Sequence, residues 1–407
     1  AMMMSNLDPY TVYIDELTKL EEESKLRGRF PGIGIQIRRV AAKDALLVVS
    51  PIKGSPAYRA GLKAGDLVTQ IQTDRDDKGK ELPSQKIFST QGMRTETAVK
   101  HILGPAGTKV KVWVQREGVD KPLEFEIRRG MVEVETVLGA KRNSDDSWDY
   151  YIDPENKIGY IQLTQFGPGS FRDMEDAVRK MDKSGLKGLV LDLRDNPGGL
   201  LSTAVQISDL FVDDGLIVTI RPRVGQEQGY TGEHDGSYLS FPMVCLVNNG
   251  SASGSEIVSA CLQDHKRAVI IGERSYGKGS VQNIQPFSPT NGEIKLTTAT
   301  FHRPNGKNLN KSSIKDYDKM SKEELEKLDW GVRPDSGYAI KLDPKERFDL
   351  DVKLREREII PRRDAPPKSK GDGEAKPEFK DRQLESAMDY LRSQIKTASQ
   401  VPLKKAG

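Results

Sequence analysis

Three serines and a lysine stand out because their surroundings could make an ordinary side chain reactive. Ser251, Ser253 and Ser255 alternate where an apolar run, residues 242–247, gives way to a predicted helix. A hydroxyl at a helix start lies at the positive end of the helix dipole, which stabilises negative charge. It attacks a carbonyl carbon only when a base removes its proton. The pattern predicts a nucleophilic serine and by itself leaves open which of the three it is.

A lysine is a better candidate for that base than a histidine. Of the four histidines, only His265 lies near these serines in the sequence, in a polar run that ends the same helix. A histidine there is typical of a helix C-terminal cap. Burial can instead lower the pKa of a lysine from about 10.4 to about 7–8. Lys278 is the candidate base, because Gly277 and Gly279 let the backbone pack closely round it, and a solvated surface lysine is the alternative.

Gln282 is the predicted partner of that lysine. Side chains alternate along an extended segment, so Lys278, Ser280 and Gln282 share one face. An amide can hold a neutral amine by a hydrogen bond without placing a charge beside it. We therefore expect Gln282 to orient Lys278 without keeping it protonated.

A second pair of motifs lies upstream of the serines. Residues 30–37 form a predicted glycine-bearing turn and an alternating strand, and residues 55–66 carry Ser-Pro-Ala-x-x-Ala-Gly-Leu-x-x-Gly-Asp. In such a turn the N–H groups of Ile33, Gly34 and Ile35 point into one concavity, which can hold a peptide's C-terminal carboxylate. The alternative is an ordinary turn in a small β-rich domain. The two motifs in this order resemble a PDZ domain, which implies binding of peptide tails.

The serine and lysine motifs together resemble the carboxyl-terminal processing, or tail-specific, serine proteases. Three ordered runs and two outlying pieces carry the likeness: residues 192–200, 249–257, 277–282, 7–10 and 331–335. The resemblance implies a Ser–Lys dyad on a fold related to ClpP and crotonase, with the PDZ domain inserted ahead of that core. It also implies an exported protein, in the periplasm or cell envelope.

The resemblance assigns further residues. The family's spacing between nucleophile and base selects Ser253 as the partner of Lys278. The backbone N–H groups of Gly199 and Gly254 are then the predicted oxyanion hole. Gly254 stands where the family commonly has alanine, a change that keeps the N–H that matters. Asp264 also matches a family position, and a salt bridge or a helix cap explains it as well as catalysis does.

Two other functions fit parts of the sequence. One is a PDZ scaffold on an inactive protease fold, against which the joint presence of Ser253, Lys278 and Gln282 argues. The other is a crotonase-type acyl-CoA enzyme, which has no use for a carboxylate-binding turn. The preferred hypothesis is an endopeptidase that captures exposed C-termini of protein or peptide substrates, with the PDZ domain also controlling access to the dyad.

The pattern of elements predicts an α/β (α+β) multidomain protein. Apolar strands alternate with helices through the core region, which favours a largely parallel sheet covered on both faces. We divide the chain into an N-terminal cap or adaptor (1–28), a PDZ domain (29–130), a protease core (131–350) and a linker with a C-terminal helix (351–407).

Four local expectations complete the prediction. Residues 18–23 form a short helix, and residues 73–93 form a polar, exposed excursion. Residues 381–395 form a helix with an apolar face, which would serve for docking or for a homo-oligomer. Asp8 and Tyr10 belong to one of the family runs, and we assign them only a structural role.

Composition limits the alternatives. The 407 residues carry 63 Lys and Arg against 60 Asp and Glu, a net charge of +3, which does not predict nucleic-acid binding. Two cysteines and four scattered histidines predict neither a disulfide scaffold nor a metal site, and no cofactor is implied. No apolar run approaches the roughly 18 residues that cross a bilayer. Residues 1–6 lack the basic and apolar stretches of a signal peptide.

Overall fold

The computed structural model of the chain describes residues 8, 10–15, 28–76, 79–233, 236–287, 292–362 and 379–400. Within these ranges it contains both strands and helices. The strands are β1 (Val12–Ile14), β2 (Arg29–Gly32), β3 (Ile35–Val40), β4 (Ala45–Pro51), β5 (Leu67–Arg75), β6 (Glu81–Ser89), β7 (Lys109–Gln115), β8 (Leu123–Arg128), β9 (Gly130–Glu133), β10 (Val137–Leu138), β11 (Lys141–Arg142), β12 (Trp148–Asp149), β13 (Tyr151–Asp153), β14 (Ile158–Leu163), β15 (Gly188–Asp192), β16 (Gly215–Pro222), β17 (Gln228–Gly232), β18 (Met243–Val247), β19 (Ala268–Gly272), β20 (Ser280–Phe287) and β21 (Gly292–His302). The α-helices are α1 (Pro56–Ala60), α2 (Thr95–Ile102), α3 (Ser170–Lys183), α4 (Leu201–Asp209), α5 (Gly254–Asp264), α6 (Lys322–Lys327), α7 (Pro344–Glu358) and α8 (Arg382–Gln400).

A β-rich module occupies the region between β2 and β9. Its main sheet has the strand order β3-β4-β5-β7-β8, with β6 paired to β5, so β3 lies at an edge. Alternating apolar residues of the strands, such as Val48 and Val112, face Ala98 and Ile102 of α2 in one buried cluster. The separate pairing of β2 with β9 brings the two ends of the module together. This arrangement leaves the edge of β3 open beside α2.

A parallel sheet forms the centre of the larger unit. Strands β14, β15, β18 and β19 pair in parallel in that order, and β10 and β13 add antiparallel pairs to β14. Every residue of β14, β15 and β18 is buried. Leu189 and Leu191 point into the cluster with α3, α4 and α5, and Val190 points into the cluster with α8. Helices on both faces explain why these strands are apolar along most of their length. The α/β (α+β) prediction is confirmed.

A second sheet stands beside this core. It has the strand order β1-β21-β16-β17, and β20 pairs antiparallel with β21. The short strand β1 therefore anchors the beginning of the chain on β21, where Val12 pairs with Lys295. This sheet positions the segment that carries Lys278 and leads into β20.

Hydrogen bonds join the module to the rest of the chain. The Tyr58 hydroxyl donates to Asp146 Oδ2 at 2.7 Å. The Ile360 N–H donates to Ser50 Oγ at 3.0 Å. Polar contacts of this kind are common between domains of one chain.

The local expectations have different outcomes. Within the region 73–93, Glu81–Ser89 is mostly exposed, as expected, and it forms the regular strand β6 on β5. The C-terminal helix packs on its own core, where Ala387, Met388 and Leu391 are buried. Its apolar face is thus occupied within the chain, and a homo-oligomer stays a prediction. The helix expected at residues 18–23 lies outside the described residues.

A buried ion cluster fixes the C-terminal helix to the core. Arg194 is fully buried, and its guanidinium contacts Asp192 at 2.6 Å and Asp381 at 2.9 Å. Asp381 also accepts the N–H of Leu384 and so caps the start of α8. Burying these charges is costly unless each is paired. The cluster therefore ties α8 to the end of β15, from which the loop 193–199 begins.

The two cysteines are core residues. Cys245 and Cys261 are both unbridged and buried. Burial raises the pKa of the Cys261 thiol to about 12. A thiol in that state is a small apolar side chain and not a nucleophile.

We predict that Asp381→Ala destabilises the protein by about 3 kcal/mol, because Arg194 loses a buried partner and α8 loses its cap. Urea denaturation followed by circular dichroism measures the effect. Asp389→Ala is the matched control, since this carboxylate lies on the same helix with 80% of its side chain exposed, and it should cost less than about 0.5 kcal/mol. Equal midpoints for the two variants would contradict the role given to Asp381.

Candidate active site

The candidate site lies where the parallel strands end. The loops 193–199, 248–253 and 273–279 follow β15, β18 and β19. Because the carboxyl ends of parallel strands lie on one edge of a sheet, these loops meet there. Three motifs that are far apart in the sequence are thereby brought together.

Ser253 begins helix α5 in an unusual backbone conformation. Its φ is +54° and its ψ is −111°, a sparsely populated combination for a residue other than glycine. The carbonyl of Ser253 accepts the N–H groups of Glu256 and Ile257, at 2.9 and 3.0 Å. The main chain therefore starts the helix without requiring the Ser253 hydroxyl. The side chain stands at the positive end of α5, on a sharp turn between strand and helix.

The neighbouring serines have structural contacts. Ser251 and Ser255 are fully buried, whereas Ser253 is partly exposed. The Ser251 hydroxyl donates to the carbonyl of Leu193 at 2.8 Å. The Ser255 hydroxyl donates to the carbonyl of Asn196 at 2.9 Å. Both therefore join the serine loop to the loop 193–199, and of the three serines Ser253 is the one that is partly exposed.

The turn containing Gly199 packs directly against Ser253. Gly198 has a φ of +99°, and a Cβ there would lie 2.7 Å from the Cβ of Ser253 and 2.8 Å from the N of Gly254. Phe166 fixes the turn, because its N–H donates to the Gly198 carbonyl and its carbonyl accepts the N–H of Leu200. The peptide groups of Gly199 and Gly254 thus lie on neighbouring segments of the polypeptide, beside the Ser253 side chain. Within the described ranges neither N–H donates to a backbone carbonyl.

Glu256 is the residue that the sequence reasoning missed. It is fully buried. Its Oε2 accepts the N–H of Ser253 at 2.9 Å and the N–H of Lys278 at 2.8 Å. Its Oε1 accepts the Gly277 N–H at 2.7 Å and the hydroxyl of Ser275. One carboxylate oxygen therefore holds the main chain at both Ser253 and Lys278. The signal was present, because Ser253-x-x-Glu256 has the spacing of a capping box.

These donors oppose the energetic cost of burying the Glu256 carboxylate. Burial raises the pKa of the Glu256 carboxyl above its usual value, and hydrogen bonds from Ser275, Gly277, Ser253 and Lys278 oppose that rise. A buried carboxylate without donors would be several kcal/mol less stable. The four donors thus fix where the carboxylate lies and, through it, where both segments lie.

Lys278 is partly buried and faces the beginning of the chain. Its Nζ lies 5.2 Å from the centroid of the Tyr10 ring, within cation–π range. Burial, followed by repulsion from Tyr276, raises the pKa of the Tyr10 hydroxyl, which therefore stays neutral. Asp8 fixes this segment by accepting from the hydroxyl of Thr297 at 2.8 Å. Tyr10 was given only a structural role, and the structure brings it to the candidate base.

Gln282 follows in strand β20, next to a register shift between Val281 and Gln282. Its amide nitrogen donates to Ser280 Oγ at 2.7 Å and lies 3.4 Å from Thr297 Oγ1. Ser280 and Gln282 therefore share a face, as alternation in a strand requires. The amide oxygen is the atom that could accept a hydrogen bond from an amine.

His265 and Asp264 lie at the other end of α5. The Nε2 of His265 lies 2.8 Å from the carbonyl oxygen of Leu216. Asp264 pairs with Arg303 at 2.7 Å and accepts the N–H of Asn305. These contacts account for both side chains as structural groups.

The turn at Gly34 is held by the start of α1. The Ile33 carbonyl accepts the Ala57 N–H at 2.8 Å, and the Gly34 carbonyl accepts the Ser55 hydroxyl at 3.0 Å. In a trans peptide the N–H points opposite to the preceding carbonyl. The N–H groups of Gly34 and Ile35 therefore point away from α1, and both belong to one short turn.

Metal-ligand clusters and membrane-spanning helices are both missing from the described residues. No three His, Cys, Asp or Glu side chains in these ranges come together as metal ligands. No helix in the same ranges is long and apolar enough to cross a membrane.

Comparisons with known proteins show which family the chain belongs to. The model of peptidase family S41 matches residues 157–318. A carboxy-terminal-processing protease of Bartonella bacilliformis is 38% identical over 315 residues, which are 75% of this chain and 65% of that protein. The chain thus spans just under two thirds of the length of that relative.

A second relative and a solved structure extend the likeness. A carboxyl-terminal-processing protease of Synechocystis sp. is 31% identical over 317 residues, 77% of this chain and 68% of that protein. The crystal structure of a Bacteroides fragilis protein assigned to the S41 proteases has a TM-score of 0.52 at 16% identity, covering 87% of this chain and 85% of that one. The latter likeness concerns the fold alone. Together with the first relative, the Synechocystis protein shows that the chain belongs to peptidase family S41, among the carboxy-terminal processing proteases.

Proposed function

We propose that the protein is a serine endopeptidase that cleaves substrates with a Ser253–Lys278 dyad and recognises their C-terminal tails through the module of residues 29–130. The observation that carries the proposal is the bond of Glu256 Oε2 to both the Ser253 and the Lys278 N–H. Because both nitrogens are hydrogen-bonded to one oxygen, the distance between them cannot exceed the sum of the two hydrogen-bond lengths. The main chains of nucleophile and base are thereby kept adjacent.

The reaction follows from this adjacency. The neutral Lys278 amine takes the proton of the Ser253 hydroxyl as Oγ bonds to the scissile carbonyl carbon. The resulting ammonium gives its proton to the leaving amine as the C–N bond breaks. Water then attacks the acyl-enzyme, with Lys278 taking the water's proton and returning one to Ser253 Oγ. A shortened carboxylic acid leaves, and the serine is regenerated.

The proposed oxyanion hole consists of the N–H groups of Gly199 and Gly254. Their support is the close packing of Gly198 on Ser253 and on the N of Gly254. Donors that are fixed before the reaction stabilise the negative oxygen without reorganising, and losing one typically costs about 2.7–4 kcal/mol. Gln282 completes the proposed site, with its amide oxygen accepting from the Lys278 amine.

The module of residues 29–130 is the proposed PDZ domain. Its open edge strand β3 can pair with an extended peptide, and the N–H groups at Ile33, Gly34 and Ile35 can bind the terminal carboxylate. The order of the chain, with the module ahead of the core, supports a second role, in which the module controls access to the dyad. An exported location belongs to the same proposal.

We predict that Ser253→Ala and Lys278→Ala each lower cleavage of a tailed peptide by at least about a thousandfold, because nucleophile and base act as one unit. Hydrolysis of a fluorogenic peptide with a free C-terminus measures this. Ser336→Ala and Lys315→Ala, two exposed substitutions in the same unit, should leave the rate unchanged. Wild-type turnover equal to that of the two dyad variants would instead indicate an inactive scaffold.

We also predict that amidating the C-terminus of the same peptide raises KM about tenfold, because the N–H donors of the turn then face a neutral amide in place of a carboxylate. Gly34→Ala should do the same to the free peptide, since a Cβ there would lie 2.4 Å from the Cβ of Ser55. Gly54→Ala is the matched control, because Gly54 has a similar φ of +70° with nothing within 4 Å. Equal KM values for acid and amide would rule out capture of the carboxylate.

A further inference from the structure

A large cavity opens beside the candidate dyad. It encloses about 790 Å³ and is lined by Tyr10, Asn249, Tyr276 and Gly277 at its dyad end. Tyr10 contacts Lys278, and Asn249 belongs to the loop that carries Ser253. A polypeptide bound across the dyad would therefore continue into this space.

The cavity is strongly cationic. Its cationic side chains are Arg274, Lys311, Lys322, Arg333, Lys341 and Arg347, and its carboxylates are Glu273 and Glu326. Both carboxylates are already paired, Glu273 with Arg347 at 2.7 Å and Glu326 with Arg274 at 3.2 Å. The other four cations have no carboxylate within ion-pair distance among the described residues. Since the whole chain carries only +3, this excess is a local feature.

Two of the cations are held in place at the dyad end. The Arg274 guanidinium lies 3.6 Å from the Trp330 ring centroid, and the Lys311 ammonium lies 4.7 Å from it. The N–H of Lys311 donates to the Gly277 carbonyl at 2.9 Å. The charged wall is thus hydrogen-bonded to the segment that carries Lys278. Lys322 and Lys341 extend the same wall outward, and both are exposed.

We propose that this cavity binds an acidic segment of the polypeptide substrate next to the scissile bond. The inference rests on the proposed peptidase function and adds a charge preference to it. Several like charges along one wall attract an anionic chain and raise its local concentration at the dyad. The wall begins at Gly277, next to Lys278 in the sequence, and this position favours a polypeptide substrate over another polyanion.

The test compares two peptides that share a free C-terminal tail and a scissile sequence but carry Glu or Gln in the flanking segment. We expect kcat/KM to be about two- to tenfold higher for the Glu peptide at low salt, with the difference shrinking as NaCl is added. Lys322→Gln with Lys341→Gln should reduce that difference, since two of the four cations without a carboxylate partner are removed, and leave cleavage of the Gln peptide unchanged. Lys327→Gln with Lys345→Gln is the control, because these exposed lysines lie on α6 and α7 outside the cavity.

Equal cleavage of the two peptides, or a preference that is undiminished in the cavity variant, would overturn the inference while the peptidase function stands. Fluorescence anisotropy of the same peptides on Ser253→Ala protein separates the two proposals. Tighter binding of the Glu peptide that needs Lys322 and Lys341 supports the inference even if no peptide is cleaved. Tighter binding of a DNA 12-mer than of the Glu peptide would assign the cavity to another polyanion and overturn it.

Discussion

A single buried carboxylate organises the candidate site. Glu256 binds the N–H groups of Ser253, Gly277 and Lys278 together with the hydroxyl of Ser275. Its position on the first turn of α5 follows from the capping-box spacing, so the helix that presents the serine also presents the carboxylate. The four hydrogen bonds offset the energetic cost of burying that carboxylate. The segment before β20 is therefore held with the Lys278 N–H bonded to the same oxygen as the Ser253 N–H.

The surrounding structure keeps this unit rigid. Ser251 and Ser255 join the serine loop to the loop 193–199, and Arg194 joins the start of that loop to α8 through Asp381. The C-terminal helix is therefore part of the support for the site, although it lies on the opposite face of the sheet from α5. At the other side of the lysine, strand β1 anchors the segment that brings Tyr10 to Lys278. Rigid elements thus position every group of the proposed dyad.

The sequence predicted the local parts of this arrangement better than the long-range ones. Apolar runs identified β14, β15 and β18, because a strand covered on both faces has no polar side. Glu81–Ser89 escaped prediction because this strand extends beyond the module core and exposes most of its side chains. The apolar face of α8 was evident, but no local pattern indicates which surface covers it. Glu256 could have been found from its spacing to Ser253, whereas its bonds to Ser275 and Lys278 depend on the fold. Tyr10 reaches the site through a strand of three residues, too short for any periodicity to predict.

The most direct test of the account is the rate at which a fluorophosphonate modifies Ser253, followed by peptide mass spectrometry between about pH 5 and 9. We expect the wild-type rate to rise with pH, since only the neutral Lys278 amine can accept the hydroxyl proton, and to fall strongly in Lys278→Ala. Glu256→Gln keeps the shape of the side chain, but its amide nitrogen cannot accept hydrogen bonds, so two of the four donors lose their acceptor. Because the dyad would then be displaced, we expect Ser253 to react with the fluorophosphonate about a hundredfold more slowly in this variant. Glu324→Gln, in the exposed capping box of Ser321, should react like wild type. Wild-type reactivity in Glu256→Gln, or a pH profile unchanged in Lys278→Ala, would contradict the claim that this carboxylate holds nucleophile and base together.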